Sequence, residues 1–585
     1  MIACDISRER QQNRFADLQR RHILVMKTAK TFSFASTLTR RFVPAIALIG
    51  QLLSLWLCLS SAHAQSITNP IAALNNHISG VATLTPAEII TQGNLIQTNI
   101  AQVGTNAVAL AAALDLVSNY DATVGALFTT TATKNGFTRD GAGYELAQAL
   151  FDLQQGILDN SYTAANLTSY FSLLNGRKFG TSTYFPGAVA PPASTNTGYA
   201  VPINASVLTD WGSPSLYQTW GTRRPTGCYL APGSMGYVTV PAALVNNGFF
   251  IRVGAHYWDL SAKTTVKRLD RVSRVYSITS ATTLIANPLG GGIYIEVPYG
   301  KNLGIVTVGI TNVVRSPFFS ATSFHQTTAT EWLTERTQPG PWADFESDKF
   351  MMQVPRSWIY NYTGEVKVMQ DWDSAMDTVS DLMGRPHIRS KTVLYLQADV
   401  DYRGTANFPG YPQSNYPYNP NTVEAGNKNY FMLTGPQDSD WTVLHELGHA
   451  QLASKFIGEV ESMVNLLYVA VQNQKFGIPL EDAFGRSVGG SSTATANDSI
   501  NLAQAALTWI MTDAFRAGSS MSGVQMQYQH RGHGKYVEIA NLFGWGALSN
   551  FWYSVNVDYM NGITYSPDDR PLELDSDLLP NSAIH

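Results

Sequence analysis

The hydrophobic period of this chain changes twice along its length, and each change argues against a single core. Between residues 65 and 182, stretches such as "AAALDLVSNYDATVGALF" and "GYELAQALFDLQQGILDN" repeat their apolar residues at helical spacing. They predict an all-helical N-terminal region. Residues 183–204, rich in Pro, Gly, Ser and Thr, read as a linker. From 205 to 320 the pattern becomes short alternating runs, "GYVTVPAALV", "FFIRVGAHYWDL", "GGIYIEVPYG" and "LGIVTVGITNVV", separated by turn residues. Short strands at regular spacing indicate an antiparallel β-sandwich. From 335 to 585 the two periods mix: "EVKVMQDWDSAMDTVSDLMG" is an amphipathic helix and "KTVLYLQADV" a strand. The expected fold class is multidomain α+β: a helical N-terminal region, an antiparallel β-sandwich and a mixed α/β domain. A chain of 585 residues, at roughly 150 per domain, has room for all three.

The N-terminus carries a different pattern. From Met26, the basic residues Lys27, Lys30, Arg40 and Arg41 precede an apolar run, which ends in Ala62, His63 and Ala64, with a small residue at each alanine position, before Gln65. That is the order of a secretory signal peptide cleaved after Ala64, with residues 1–25 as an upstream extension. Two rival readings are an uncleaved anchor, since 43–61 is long enough to span a bilayer, and a lipidated Cys58, which bulky Leu57 disfavours. The expected location is secreted or periplasmic, with no stable membrane insertion after cleavage. Cleavage leaves 30 Lys and Arg against 40 Asp and Glu, so the mature chain is acidic and gives no support to nucleic-acid binding. It also leaves Cys228 as the one cysteine, which excludes an intramolecular disulfide and argues against thiol chemistry. The triple glycine at 290–292 lacks the Lys-Ser/Thr of a phosphate loop and is followed by a strand, so a hairpin turn is expected there.

The pattern "HELGH", residues 445–449, is the chemically most specific stretch of the chain. Positions i and i+4 lie one turn apart on one helix face, so His445 and His449 aim at one point with Glu446 beside them. Leu444, Leu447 and Leu452 fall where such a helix buries its apolar stripe, and Asp438, Ser439 and Asp440 are candidate N-caps. A catalytic zinc takes three protein ligands and keeps an open position. The third ligand has two candidates, Glu459 and Glu461, at the start of the apolar stretch "VESMVNLLYVAVQ" beyond Gly458. Spacing alone does not separate them.

"HELGHAQL" followed by "GEV" and "LYV" resembles the zinc peptidase family that contains viral enhancins and bacterial mucin-degrading proteases. The similarity extends to "GPWADFESDKFMMQVPRSWIYNY" and "DWDSAMDTVSDLMG" before the motif, and to "RPTGCYLAPG", "IRVGAHYWDL", "KRLDRV" and "NPLGGGIYIEVP" in the sandwich. It covers about residues 215–585 and leaves the N-terminal helices without a counterpart. The resemblance implies a zincin-type catalytic domain, one zinc ion held by His445, His449 and Glu459, and Glu446 as general base. Glu461 stays the other candidate ligand, because the Asn pair that follows the Gly-Glu-Val element in the family is here Glu461, Ser462 and Met463.

Such a site hydrolyses a peptide bond: bound zinc acidifies water, and Glu446 takes its proton and delivers it to the leaving amine. Charge developing on the carbonyl oxygen needs a second donor, for which His530, Arg531, His533 and Tyr536 are candidates. The Tyr-, Pro- and Asn-rich loop at 410–422 places Tyr411, Tyr416 and Tyr418 to stack on sugar or peptide and Asn415 to hydrogen-bond it. The implied partners are O-glycosylated, mucin-like proteins, with glycan contacts. Two other readings are a cell-wall peptide hydrolase and a glycan-binding adhesin with a silent metal site.

Overall fold

The computed structural model describes residues 66–129, 136–207, 222–382, 384, 394–401, 413–417, 431–439, 441–449, 460–487 and 533–561. The extension and signal segment at 1–64 therefore lie outside the described residues, as do Tyr411, Tyr418, Leu452, Glu459, His530 and Arg531. The N-terminal region is helical, with α1 (Thr68–Ile78), α2 (Pro86–Thr98), α3 (Ala107–Thr123) and α4 (Glu145–Ser161) packed on one another. Local chemistry sets where they begin. Thr85 accepts from the Glu88 amide while Glu88 reaches back to the Thr85 amide, and Pro86 opens the helix behind them. Asn106 caps α3 by accepting from the amides of Val108 and Ala109 at 2.9 and 3.2 Å. Leu74, Ile96, Leu110, Leu116, Leu153 and Ile157 fill the space between the helices.

The antiparallel β-sandwich expected from the alternating runs is present. Its first sheet runs β2 (Gly198–Ser206), β10 (Asn302–Thr311), β4 (Met235–Thr239) and β8 (Thr282–Ala286). Its second runs β11 (Val314–Arg315), β3 (Thr222–Leu230), β9 (Gly291–Val297), β5 (Phe250–Val253) and β7 (Arg274–Ser277). A separate short pair joins β1 (Phe137–Thr138) to β6 (Thr265–Val266). Two sequence expectations are corrected. Residues 198–204, read as linker, belong to strand β2: Val201, Ile203 and Ala205 point into the core, and Pro202 is tolerated because β2 is an edge strand. The triple glycine is not a hairpin turn either, since β8 and β9 lie in different sheets and Gly290 and Gly291 carry the chain between them. Gly291 has φ +144, and a Cβ there would lie 2.6 Å from the Gly254 backbone.

The third sheet is mixed, in the order β12 (Phe318–Ala321), β13 (Trp342–Ser347), β14 (Phe350–Pro355), β15 (Leu394–Asp399) and β16 (Gln413–Pro417). Only β13 and β14 pair antiparallel; the other neighbours are parallel. Strand β12, expected at the end of the sandwich, therefore opens this sheet. Residues 413–417, expected within a loop, form its edge strand β16, so Asn415 and Tyr416 stand on a strand. A short helix, α5 (Ala329–Glu335), precedes β13, and α6 (Glu365–Leu382) packs on the sheet, with the Trp372 ring stacked on Phe350 at 4.5 Å.

Sandwich and mixed sheet meet through buried polar groups. The Tyr294 hydroxyl donates to Asp344 at 2.9 Å and accepts from Gln353 Nε2 at 2.5 Å, and Gln397 Nε2 donates to Gln353 Oε1 at 2.7 Å. Arg224 lies 3.5 Å from Glu346. Among the described residues, no helix is long and apolar enough to cross a membrane.

Candidate metal centre

The motif helix is α7 (Trp441–His449), and α8 (Val460–Ala470) packs along it. The chain entering α7 is tied down from three sides. The Tyr362 hydroxyl donates to Leu433 O at 2.5 Å and the Trp372 indole to Met432 O at 3.2 Å, fixing the short helix Phe431–Thr434. Gln472 lies in a π-helical turn, Val471–Lys475, that continues α8, and its Nε2 donates to Pro436 O at 3.0 Å. Ser439, one of the capping candidates, donates its hydroxyl to Pro436 O at 2.8 Å. The apolar stripe of α7 is buried as expected at Leu444 and Leu447, and Val443 is buried with them.

His445 is 4% exposed, and its Nδ1 lies 2.6 Å from Asn465 Oδ1 on α8. A carboxamide oxygen only accepts, so Nδ1 carries the proton and the imidazole lone pair stands on Nε2. That is the tautomer a metal-ligating histidine needs, and the bond to Asn465 also fixes the ring plane. Trp441 packs edge-on to the same ring at 5.3 Å. The sequence reading missed Asn465; its signal was a lone amide inside the apolar run from Met463 to Ala470, fully buried here. Positions 445, 446 and 449 follow one another on α7 at the motif's spacing, and Glu461 stands in the first turn of α8. Among the described residues no group of three His, Cys, Asp or Glu side chains converges; the side chains of Glu446, His449 and Glu461, and the whole of Glu459, lie outside them.

The downstream candidates sit on helices that pack against α8. Helix α9 (Leu480–Ser487) and α10 (Gly534–Phe543) pack on each other, and α11 (Trp545–Met560) follows α10. His533, at the start of α10, is 0% exposed, stacks near Phe484, and bonds through Nε2 to Ser487 Oγ at 2.7 Å. Tyr536 is buried beside it at 1% exposure. Both were expected as donors to the developing charge; here both are buried where α9 and α10 pack. The side chains of Asn415 and Tyr416 are not among those described.

Known proteins align with this layout. A family model for the N-terminal domain of M60-like peptidases matches residues 194–311, and one for Peptidase M60, enhancin and enhancin-like, matches 312–547. Among curated proteins, the chain is similar to a TRPM8 channel-associated factor homolog of Danio rerio, 26% identical over 269 residues, covering 44% of this chain and 28% of that one. It is likewise similar to TRPM8 channel-associated factor 3 of Mus musculus, 27% identical over 305 residues, covering 51% and 30%. The chain thus spans less than a third of the length of these two relatives. Among solved structures, IMPa metallopeptidase from Pseudomonas aeruginosa is 11% identical with a TM-score of 0.43, covering 82% of this chain and 55% of that one. ZmpB metallopeptidase from Clostridium perfringens is 13% identical with a TM-score of 0.37, covering 65% and 80%. The two family matches run end to end from residue 194 to residue 547, over half of the chain, and the chain belongs to the enhancin-like M60 peptidase family.

Proposed function

We propose that this chain is a zinc-dependent endopeptidase that acts outside the cytoplasm on O-glycosylated, mucin-like proteins. The observation that carries the reading is the His445–Asn465 bond in a helix whose sequence is His-Glu-x-x-His. A buried histidine bonded through Nδ1 to a neutral acceptor leaves Nε2 for a metal, and the His-Glu-x-x-His spacing is what separates it from core histidines such as His256 and His533, which also find neutral partners. The donor set fits zinc: two imidazoles one turn apart and a carboxylate that precedes α8 by one residue in the sequence, His445, His449 and Glu459. Bound zinc would acidify a water molecule and polarise the scissile carbonyl.

The chain's own residues do the rest. Glu446, adjacent to the first ligand, accepts the proton of the attacking water and passes it to the departing amine, so it must be ionised before attack and protonated after it. Asn465 keeps the His445 ring from rotating away. Strand β16 presents an edge of the mixed sheet, and an extended peptide is held by just such an edge through main-chain hydrogen bonds. Asn415 and Tyr416 on that strand, with Tyr411 and Tyr418 flanking it, supply hydrogen-bonding and stacking groups for a glycopeptide. The signal-like order of residues 26–64 supports export.

The test is digestion of an O-glycosylated mucin and its deglycosylated counterpart, with a chelator control and mass spectrometry of the fragments. Cleavage of the glycosylated form, lost with chelator, is the expected result. Glu446→Gln should lower the rate by roughly 10²–10⁴-fold while zinc stays bound, and full activity in that variant refutes the mechanism. Hydrolysis of cell-wall stem peptides without cleavage of either mucin would move the assignment to a cell-wall hydrolase.

A further inference from the structure

Residues 256–272 of the sandwich lie at the meeting point of the N-terminal helices and the mixed sheet. On the helical side, Phe137 and Thr138 pair antiparallel with Val266 and Thr265, and the Arg139 amide donates to Thr264 O at 2.8 Å. The Arg139 guanidinium pairs with Asp270 and donates through Nε to Lys263 O at 2.7 Å. Asp159 of α4 takes Arg271 at 3.1 Å (Nε) and 2.7 Å (Nη2).

On the other side the same segment grips the end of β15. His256 Nε2 lies 2.8 Å from Ala398 O. Arg268 closes on Asp399 with two parallel bonds, Nε to Oδ1 and Nη2 to Oδ2, both 3.0 Å. Its other donors go to Leu269 O, Asp270 O and Trp258 O. Lys263 pairs with Asp401, and the Lys267 amide donates to Asp401 at 2.9 Å. Arg268 and Asp399 are 1% and 0% exposed, so the pair persists only because nearly every donor and acceptor is bonded.

Asp399 ends β15, and its register partner is Pro417, the last residue of edge strand β16. A five-residue strand pairing with one neighbour takes its position from that neighbour. We propose that residues 256–272 are a brace through which the N-terminal helices and the sandwich fix the end of β15, and through it β16, with Arg268 and Asp399 as positioning residues for the substrate-bearing edge. The effect on substrate rests on the peptidase reading above; the mechanical coupling does not.

The test uses the full chain and Arg139→Gln, a site that touches neither β15 nor the motif helix. Hydrogen exchange should quicken about tenfold or more in a peptide covering 394–401 while β9 keeps its protection. KM for a glycopeptide should rise several-fold with kcat held within about twofold, and Arg139→Lys should recover most of it. If β9 also loosens, Asp159→Asn, a half-buried position that cuts the tie through α4 alone, reads the same coupling. Faster exchange confined to 256–272, or none at all in both variants, overturns the brace. A wild-type protein with no peptidase activity leaves the exchange result to decide the brace by itself, so the two ideas fail separately.

Discussion

Asn465 marks the line between what the residues of this site reveal alone and what they reveal in company. His445, Glu446 and His449 announce themselves by spacing, because a helix turns a four-residue interval into a shared face. Asn465 stands twenty residues beyond His445, and nothing in its neighbourhood says that α8 will carry it onto the imidazole. The role depends on helix pairing, which no local pattern encodes. Asn465→Ala should therefore weaken zinc retention by roughly 10–100-fold, measured by competition with a chromogenic chelator, and Asn465→Asp should recover much of it by keeping an acceptor at Nδ1. Equal zinc affinity in the alanine variant would reduce Asn465 to a packing residue. The third ligand is a matter of the same kind: Glu459→Ala should release zinc more readily than Glu461→Ala, and the reverse order would move the ligand to Glu461.

At the scale of elements, sequence patterns gave the class of each region and misplaced some of its borders. Strand β2 hid behind Pro202, and β16 behind a run of Tyr, Pro and Asn, because both are edge strands. An edge needs only one ladder and so tolerates residues that a central strand excludes. By contrast β3 is buried along its whole length, yet it contains Thr222, Arg223, Arg224 and Thr226, since its outward face meets the mixed sheet and not water. Helix α7 was legible, but its anchorage was not: a π-helical turn swings Gln472 beneath Pro436. Gln472→Ala leaves that carbonyl with the Ser439 hydroxyl as its remaining donor and should cost about 0.5–1.5 kcal/mol in chemical denaturation. It should also lower activity through a loosened start of α7. A variant as stable and active as the parent would mean that Ser439, Tyr362 and Trp372 hold the turn without Gln472.

For the whole molecule, the buried seam between sandwich and mixed sheet makes stability depend on pH. Burial pushes Asp344 up from 3.8 to about 7, against the pull of Tyr294 and Arg223, and pushes Glu346 to about 7 as well. A carboxyl with a raised folded pKa favours the folded state fully below its unfolded value, and that advantage is lost as pH climbs to the folded one. Between about pH 4 and pH 7 each group therefore makes the protein less stable. Burial holds His256 down at about 4, which works in the opposite sense over an overlapping window. Comparing Asp344→Asn with its parent cancels His256, and the variant also relieves the smaller push of Asp344 on Glu346, which acts in the same sense: melting temperatures should move in the variant's favour as pH rises across that window. Parallel curves would show that Asp344 ionises normally.

The junction at 256–272 also has a place in time. Thr138 and Thr265 are 127 residues apart, and Lys267 meets Asp401 across another 134. At roughly 5–20 residues per second of synthesis, the N-terminal helices wait many seconds for the strand they pair with, and as long again before the end of β15 arrives. The brace is written first and loaded last, so the helices must hold their shape unaided during that interval, and any newborn chain cut short before residue 399 carries Arg268 with no Asp399 to receive it.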